Sequence, residues 1–136
     1  MGYDFVPRNK DLEAFYLGAF SWPWMLDAGL GLVIGTGPAT KPGSYIFHPD
    51  EKGRSPRNND GYRVSASDAK KMADIAEGIV FVERYIGEEW AELSEDQRLS
   101  WERRGDLYRK PIRKDFLDKA EQFAVWARQS KGFRIW

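Results

Sequence analysis

Cysteine is missing from the 136 residues. A disulfide framework, a thiol nucleophile and a thiolate metal site are therefore excluded. Histidine occurs once, as His48. A transition-metal site would have to use carboxylates alone beside that imidazole, an uncommon ligand set. Net charge is missing too, because 21 basic residues balance 21 acidic ones. A strongly basic domain would point to nucleic acid and a strongly acidic one to a mimic of it; neither signal is there. No apolar run approaches a membrane span, since Gly and Pro break the longest candidates. The opening Met1-Gly2-Tyr3-Asp4-Phe5 has no basic region followed by an apolar run, so it does not read as a signal peptide. Val6 stands where a myristoylation motif has Ser or Thr. The expectation is one domain over residues 1–136, cytoplasmic, with no membrane partner, no metal and no cofactor.

Aromatic residues, by contrast, are plentiful: 15% of the chain, with six Trp. Buried Trp demands a partner for its indole N–H, so surplus Trp tends toward core edges and interfaces. Residues 1–9 read as extended. Leu12, Phe15, Tyr16 and Ala19 recur at helical spacing and predict a short helix from Asp11. Pro23 interrupts it, or opens a second short helix through Trp24, Met25 and Leu26. Gly and Pro punctuate residues 29–61. Within them Leu32-Val33-Ile34 and Tyr45-Ile46-Phe47 predict two short strands in a loose hairpin, then an exposed loop over 49–61 and a tight Asp60-Gly61 turn.

Ser65 with Asp68 resembles a capping box opening a long amphipathic helix. Met72, Ile75, Ile79, Val82 and Ile86 set its stripe, which Ala76 and Val80 widen, and Ile79 is expected to be buried. Gly78, Phe81 and Tyr85 lie on another side, so the helix is expected to be covered on more than one side. Ser94 with Gln97 predicts a second capped helix, short and polar, ended by Gly105. Pro111 is expected to start the last helix, with Phe116, Leu117, Ala120, Phe123, Ala124 and Ala127 inward and Trp126 on its outer side. Gly132 fits the left-handed position past a helix end. The tail Phe133-Arg134-Ile135-Trp136 is too apolar to be loose and should pack back, as a short strand or against another copy of the chain. The fold class is α+β: three or four helices with a small irregular β-hairpin or sheet.

No constellation specifies a reaction. Gly29-Leu30-Gly31 has Ile34 where a dinucleotide fingerprint needs its third Gly. The stretch from Gly35 to Lys41 has the first Gly and the Lys of a phosphate loop, but Thr40 and Pro42 replace its other key residues. His48-Pro49-Asp50 matches the tripeptide of J-domain co-chaperones, but follows a strand-like segment instead of joining two helices. No Ser sits in a nucleophile elbow. Glu88-Glu89 and Glu95-Asp96 fall on predicted solvated faces.

Two basic stretches remain. Arg54, Arg57 and Arg63 flank Asn58-Asn59-Asp60, a mixture suited to phosphate or carboxylate. Arg103, Arg104, Arg109, Lys110, Arg113 and Lys114 form the second, with only Asp106 as local counter-charge.

The string Asn59-Asp60-Gly61-Tyr62-Arg63-Val64-Ser65, continuing through Asp68-Ala69-Lys70-Lys71-Met72-Ala73, resembles a pattern in small uncharacterised bacterial and phage proteins, as do the opening Met1–Phe5 and Ser130-Lys131-Gly132-Phe133. The resemblance implies an accessory bacterial or phage protein and transfers no functional residue. The function expected is therefore non-catalytic binding of a small anionic, nucleotide-like ligand or of a protein partner. The ligand-binding residues expected are Trp22, Trp24, Lys41, Tyr45, His48, Arg54, Arg57, Asn58 and Asn59. An enzyme using His48 and a nearby acid is the alternative. Nucleic acid is not the expected partner, although residues 103–114 offer a route to it. A homo-oligomer remains open.

Overall fold

The structure, a computed structural model, describes residues 2–35, 37–41, 44–47, 49–103 and 112–136; for 37–41, 44–46 and 101–103 it describes the backbone only. It is an α+β fold. The elements are β1 (Gly2–Pro7), β2 (Phe15–Gly18), α1 (Ser21–Met25), a π-helical turn (Leu26–Leu30) kinked at Gly29, whose φ of 155° is not helical, α2 (Gly31–Ile34), β3 (Gly37–Lys41), β4 (Ser44–Ile46), β5 (Tyr62–Val64), α3 (Ala66–Glu92), α4 (Glu95–Arg103), α5 (Lys114–Gln129) and β6 (Phe133–Ile135).

Four strands form an antiparallel sheet in the order β2-β1-β6-β5, and β3 and β4 form a separate antiparallel pair. The tail strand β6 therefore lies inside the sheet, between β1 and β5. Its Phe133 and Ile135 are fully buried, so the tail packs back as a strand, as expected. Gly132, at φ 93°, makes the left-handed turn from α5 into β6.

Strand alternation sorts the sheet residues onto two faces. Phe5, Phe15, Leu17, Tyr62, Val64, Phe133 and Ile135 point to the helices. Phe5 is the hub: its ring lies 4.7 Å from Trp22, 5.9 Å from Phe123 and 5.1 Å from Phe133. Such edge and tilted contacts add about 0.5–1.5 kcal/mol per pair to the area buried.

The region expected to be a helix from Asp11 is instead a turn and strand β2. Asn9 diverts the chain: its side chain accepts the Asp11 N–H at 3.1 Å and donates to Gln129 O at 2.8 Å. Phe15 and Leu17 then face inward and Tyr16 outward, a period of two that the helical spacing had masked. The segment Leu32-Val33-Ile34, expected as a strand, is helical, and the strand that pairs with Ser44–Ile46 comes later, at Gly37–Lys41. Helical geometry is reached early because Pro23 sits in the first turn of α1, where its missing N–H costs nothing.

Helix α3 begins as expected, with Ser65 Oγ accepting the Asp68 N–H at 3.1 Å. Its buried line is Ala69, Met72, Ala73, Ala76, Val80 and Glu83, and the helix packs chiefly against α5. The expected stripe was rotated by a fraction of a turn. Ile79 is half-buried because it and Ile75 face the π-helical turn, where a side chain added at Gly29 would meet Ile75 Cγ2 at 3.0 Å. Phe81, Val82 and Tyr85 are exposed, so the far side of the helix is uncovered among the described residues. The α4 cap has both of its bonds, Ser94 N to Gln97 Oε1 at 2.9 Å and Gln97 N to Ser94 Oγ at 3.3 Å. Arg98 reaches back to the Trp90 and Ala91 carbonyls at 3.1 and 3.2 Å, satisfying the open end of α3. Pro111 and Gly105 lie outside the described residues, but Ile112 and Arg113 are not helical and α5 opens only at Lys114, later than the expected start at Pro111. In α5 the expected inner face is buried apart from half-buried Phe116, and Trp126 belongs to it, correcting its placement outside. The Trp126 ring meets Phe133 at 5.3 Å and its indole N–H donates to Glu13 O at 2.7 Å.

Candidate functional site

The residues expected to bind ligand in the front half are mostly engaged in holding the fold. Trp22 is 0% exposed, and its indole N–H donates to Pro56 O at 2.8 Å. It is a core residue and no stacking wall. Trp24 is half-buried with its ring 5.4 Å from Phe116, which Arg113 covers from 5.1 Å. Arg54 is bound by Asp50, Nε to Oδ2 at 2.8 Å, and Asp50 Oδ1 also accepts the Lys52 and Arg54 N–H groups at 2.9 Å each. These bonds, first that from the Arg54 backbone, hold the Asp50 carboxyl below its ordinary pKa. Arg57 pairs with Asp27 and lies 4.9 Å over the Phe47 ring. Its carbonyl accepts the Tyr3 hydroxyl at 2.9 Å. Asn58 and Asn59 are exposed at the tip of this loop. Lys41 and Tyr45 lie on β3 and β4, with side chains outside the described set, and His48 lies outside the described residues altogether.

The loop expected to be merely exposed thus has a structural task. Its carbonyls at 56 and 57 satisfy the polar ends of Trp22 and Tyr3, and Pro56 is buried. Both expected guanidinium anchors already hold a carboxylate. The carboxylate pairs Glu88-Glu89 and Glu95-Asp96 are exposed, as expected. Most of the second basic stretch, residues 104–111, lies outside the described residues; at its end Arg113 pairs with Asp115 and Lys114 with Asp118.

A different surface brings arginines and aromatic rings together: the sheet face turned away from the helices. Its first cross-strand row is Tyr16, Asp4 and Trp136, fixed by the Asp4–Tyr16 register and by Asp4 and Trp136 exchanging backbone hydrogen bonds at 2.7 and 2.8 Å. The second row is Val6, Arg134 and Arg63, each directly opposite the next. Arg8, exposed just beyond β1, is bonded through its N–H to Gly132 O at 2.9 Å. Where side chains are described, Arg54, Arg57, Arg84, Arg98, Arg113 and Arg128 each bond a carboxylate or carbonyl. Arg8, Arg63 and Arg134 have no such partner among the described residues.

Two like charges directly opposite on a sheet destabilise it. The Arg63–Arg134 pair therefore opposes folding slightly. The two aromatic rings of the face are held against glycines. Trp136 lies over Gly61, where an added Cβ would meet its benzo ring at 2.7 Å, and Tyr16 lies over Gly2, where it would meet the hydroxyl at 2.3 Å. Gly61 is required twice over, since its φ is 92° at the expected Asp60-Gly61 turn. The rings remain 47% and 53% exposed.

A groove of about 480 Å³ lies between α3 and α5, lined by Glu77, Val80, Phe81, Arg84, Tyr85, Glu88, Glu121 and Val125. Its one cation, Arg84, is taken by Glu121 at 2.5 Å and Asp118 at 3.7 Å. Among the described residues no cluster of His, Asp and Glu could hold a metal ion, and no helix is long and apolar enough to cross a membrane.

Of the sheet-face residues, only Arg63 stood out in the sequence. Arg134 and Trp136 were visible as a mixed tail, but only the pairing of β6 with β5 brings them beside Arg63. Compared with known proteins, the chain matches no family model, no curated protein and no solved structure.

Proposed function

We propose that this chain is a non-catalytic binding protein that captures an anionic ligand on the open face of its four-stranded sheet. The observation that carries this reading is the Arg63–Arg134 pair, in register and without a carboxylate partner among the described residues. Guanidinium groups bind phosphate oxygens bidentately, and two of them side by side suit a ligand with more than one charge. Arg8 adds a third cation at the rim. The front-half residues favoured by composition, Arg54 and Arg57, are satisfied by Asp50 and Asp27 and contribute to the loop instead. The resemblance to bacterial and phage proteins is in keeping with an accessory capture role. The alternative enzyme would depend on His48, which lies outside the described residues.

Inorganic tripolyphosphate is a suitable probe because it has charge but no base. Calorimetric titration should give heats of binding with the parent chain and none with Arg63→Ala/Arg134→Ala, while the phosphate is recovered intact. Binding that persists in that double variant and disappears in Arg54→Ala/Arg57→Ala would return the site to the front-half loop.

A further inference from the structure

We propose that the open sheet face binds single-stranded nucleic acid, with bases stacked on Trp136 and Tyr16 and backbone phosphate held by Arg63 and Arg134. This inference rests on the anion reading above and names the ligand class.

Charge alone would leave the two rings unexplained. Both stand on the solvent side of the sheet, and each is held in place by a glycine beneath it, so neither needs to be ordered on binding. Such pre-positioned rings are what a base requires, because every base has a face that can stack. Trp136 follows β6 directly and extends its pairing to Asp4, so it and Arg134 are alternate residues, roughly 7 Å apart at the usual strand rise. That is the reach from a stacked base to its own phosphate. Tyr16 and Trp136 are two strands apart, about 10 Å at the usual strand spacing. One base cannot cover both rings, so the full site takes a chain of nucleotides and not a mononucleotide.

Asp4 lies between the rings in the same row. Its carboxylate repels phosphate and accepts hydrogen bonds from base amino groups or sugar hydroxyls. The backbone is thereby turned toward the arginine row. A duplex hides its base faces and would forfeit the stacking, so single strands are preferred. The zero net charge of the chain supplies no long-range attraction. Affinity should therefore depend on few phosphates: with two or three neutralised, the logarithm of the association constant should fall against that of salt with a slope of about −1.4 to −2.

The test is fluorescence anisotropy with a labelled ten-residue oligothymidylate and with a duplex of equal length, over a range of KCl concentrations. The expected result is tighter binding of the single strand and the shallow slope given above. Tyr16→Ala and Trp136→Ala should each weaken it by about fivefold or more, the low end of one lost base stack. Trp136→Phe should recover most of the loss, and Arg63→Ala/Arg134→Ala should abolish binding. If Trp136→Ala does not melt cooperatively, Tyr16→Ala and Trp136→Phe decide. Affinity unchanged in Tyr16→Ala, or equal for duplex and single strand, overturns the inference. If tripolyphosphate binding still depends on Arg63 and Arg134 in that case, the anion reading survives without it. Loss of oligothymidylate binding only on Arg109→Ala/Lys110→Ala would place nucleic acid on the other basic stretch and also overturn it.

Discussion

The loop over residues 49–60 and the open face of the sheet are both built around arginines, and they put them to opposite uses. In the loop, Arg54 and Arg57 each meet an aspartate, and the backbone carbonyls around them cap Trp22 and Tyr3. On the sheet, Arg63 and Arg134 meet each other. Residue type was the same in the two places; among the described residues only the loop pair has a counter-charge. A cationic loop read from sequence is a weak guide to a binding site until the position of the acids is known.

The comparison can be broken most severely from beneath. Deleting residues 133–136 removes an interior strand together with Phe133 and Ile135, and the expected outcome is loss of cooperative unfolding. Single truncation on the covered side should also be costly. Phe133→Ala is expected to lower stability by about 3–5 kcal/mol in denaturant titration. A variant with the parent's midpoint would mean that β6 does not sit between β1 and β5. Within α3, Met72→Ala should cost about 2–5 kcal/mol and Ile79→Ala clearly less, because Ile79 is only half-buried. The reverse order would restore the stripe suggested by the sequence.

Smaller effects sharpen the contrast between the arginine pairs. Arg57→Ala should cost about 1 kcal/mol or less, since its ion pair is partly exposed. Arg63→Thr should leave stability unchanged or raise it by a few tenths of a kcal/mol, because it relieves a like-charge pair. Opposite signs for the two substitutions would support a structural role for the loop and a binding role for the sheet face.

The smallest effect is on pH. Burial, the leading cause at both positions, raises the phenol pKa of Tyr3 and Tyr62. The fold therefore favours the neutral phenols. Their contribution is complete below the ordinary phenol value of about 10 and is lost as pH rises through the raised folded values. Tyr3→Phe and Tyr62→Phe should flatten the alkaline fall of the melting temperature; an unchanged alkaline limb would assign it to other groups.

Much of the fold was legible where local chemistry is decisive. The Ser65 and Ser94 caps, the inner face of α5 from Leu117 to Ala127 and the docked tail follow from hydrogen-bonding residues and helical period at short range. Phe15–Gly18 and Leu32–Ile34 were misread because segments of three or four residues satisfy either period, and the choice is made by distant partners: β1 for the first, α3 for the second. The candidate site was least legible. Arg63 and Arg134 are separated by most of the helical chain, and no local pattern reveals that they lie side by side. Trp22, conversely, looked available beside Pro23 because nothing nearby in sequence foretells the Pro56 carbonyl that accepts its indole proton.

The most direct measurement follows the indole N–H resonances in a nitrogen–proton correlation spectrum during titration with tripolyphosphate and then with oligothymidylate. Trp22 and Trp126 donate to Pro56 and Glu13 inside the fold, whereas Trp136 sits at the open face. The expected result is movement of the Trp136 indole signal and of the Arg63 and Arg134 amides, with Trp22 and Trp126 stationary. Movement centred on Trp24, Arg54, Arg57, Asn58 and Asn59, with Trp136 unmoved, would contradict the assignment of binding to the sheet.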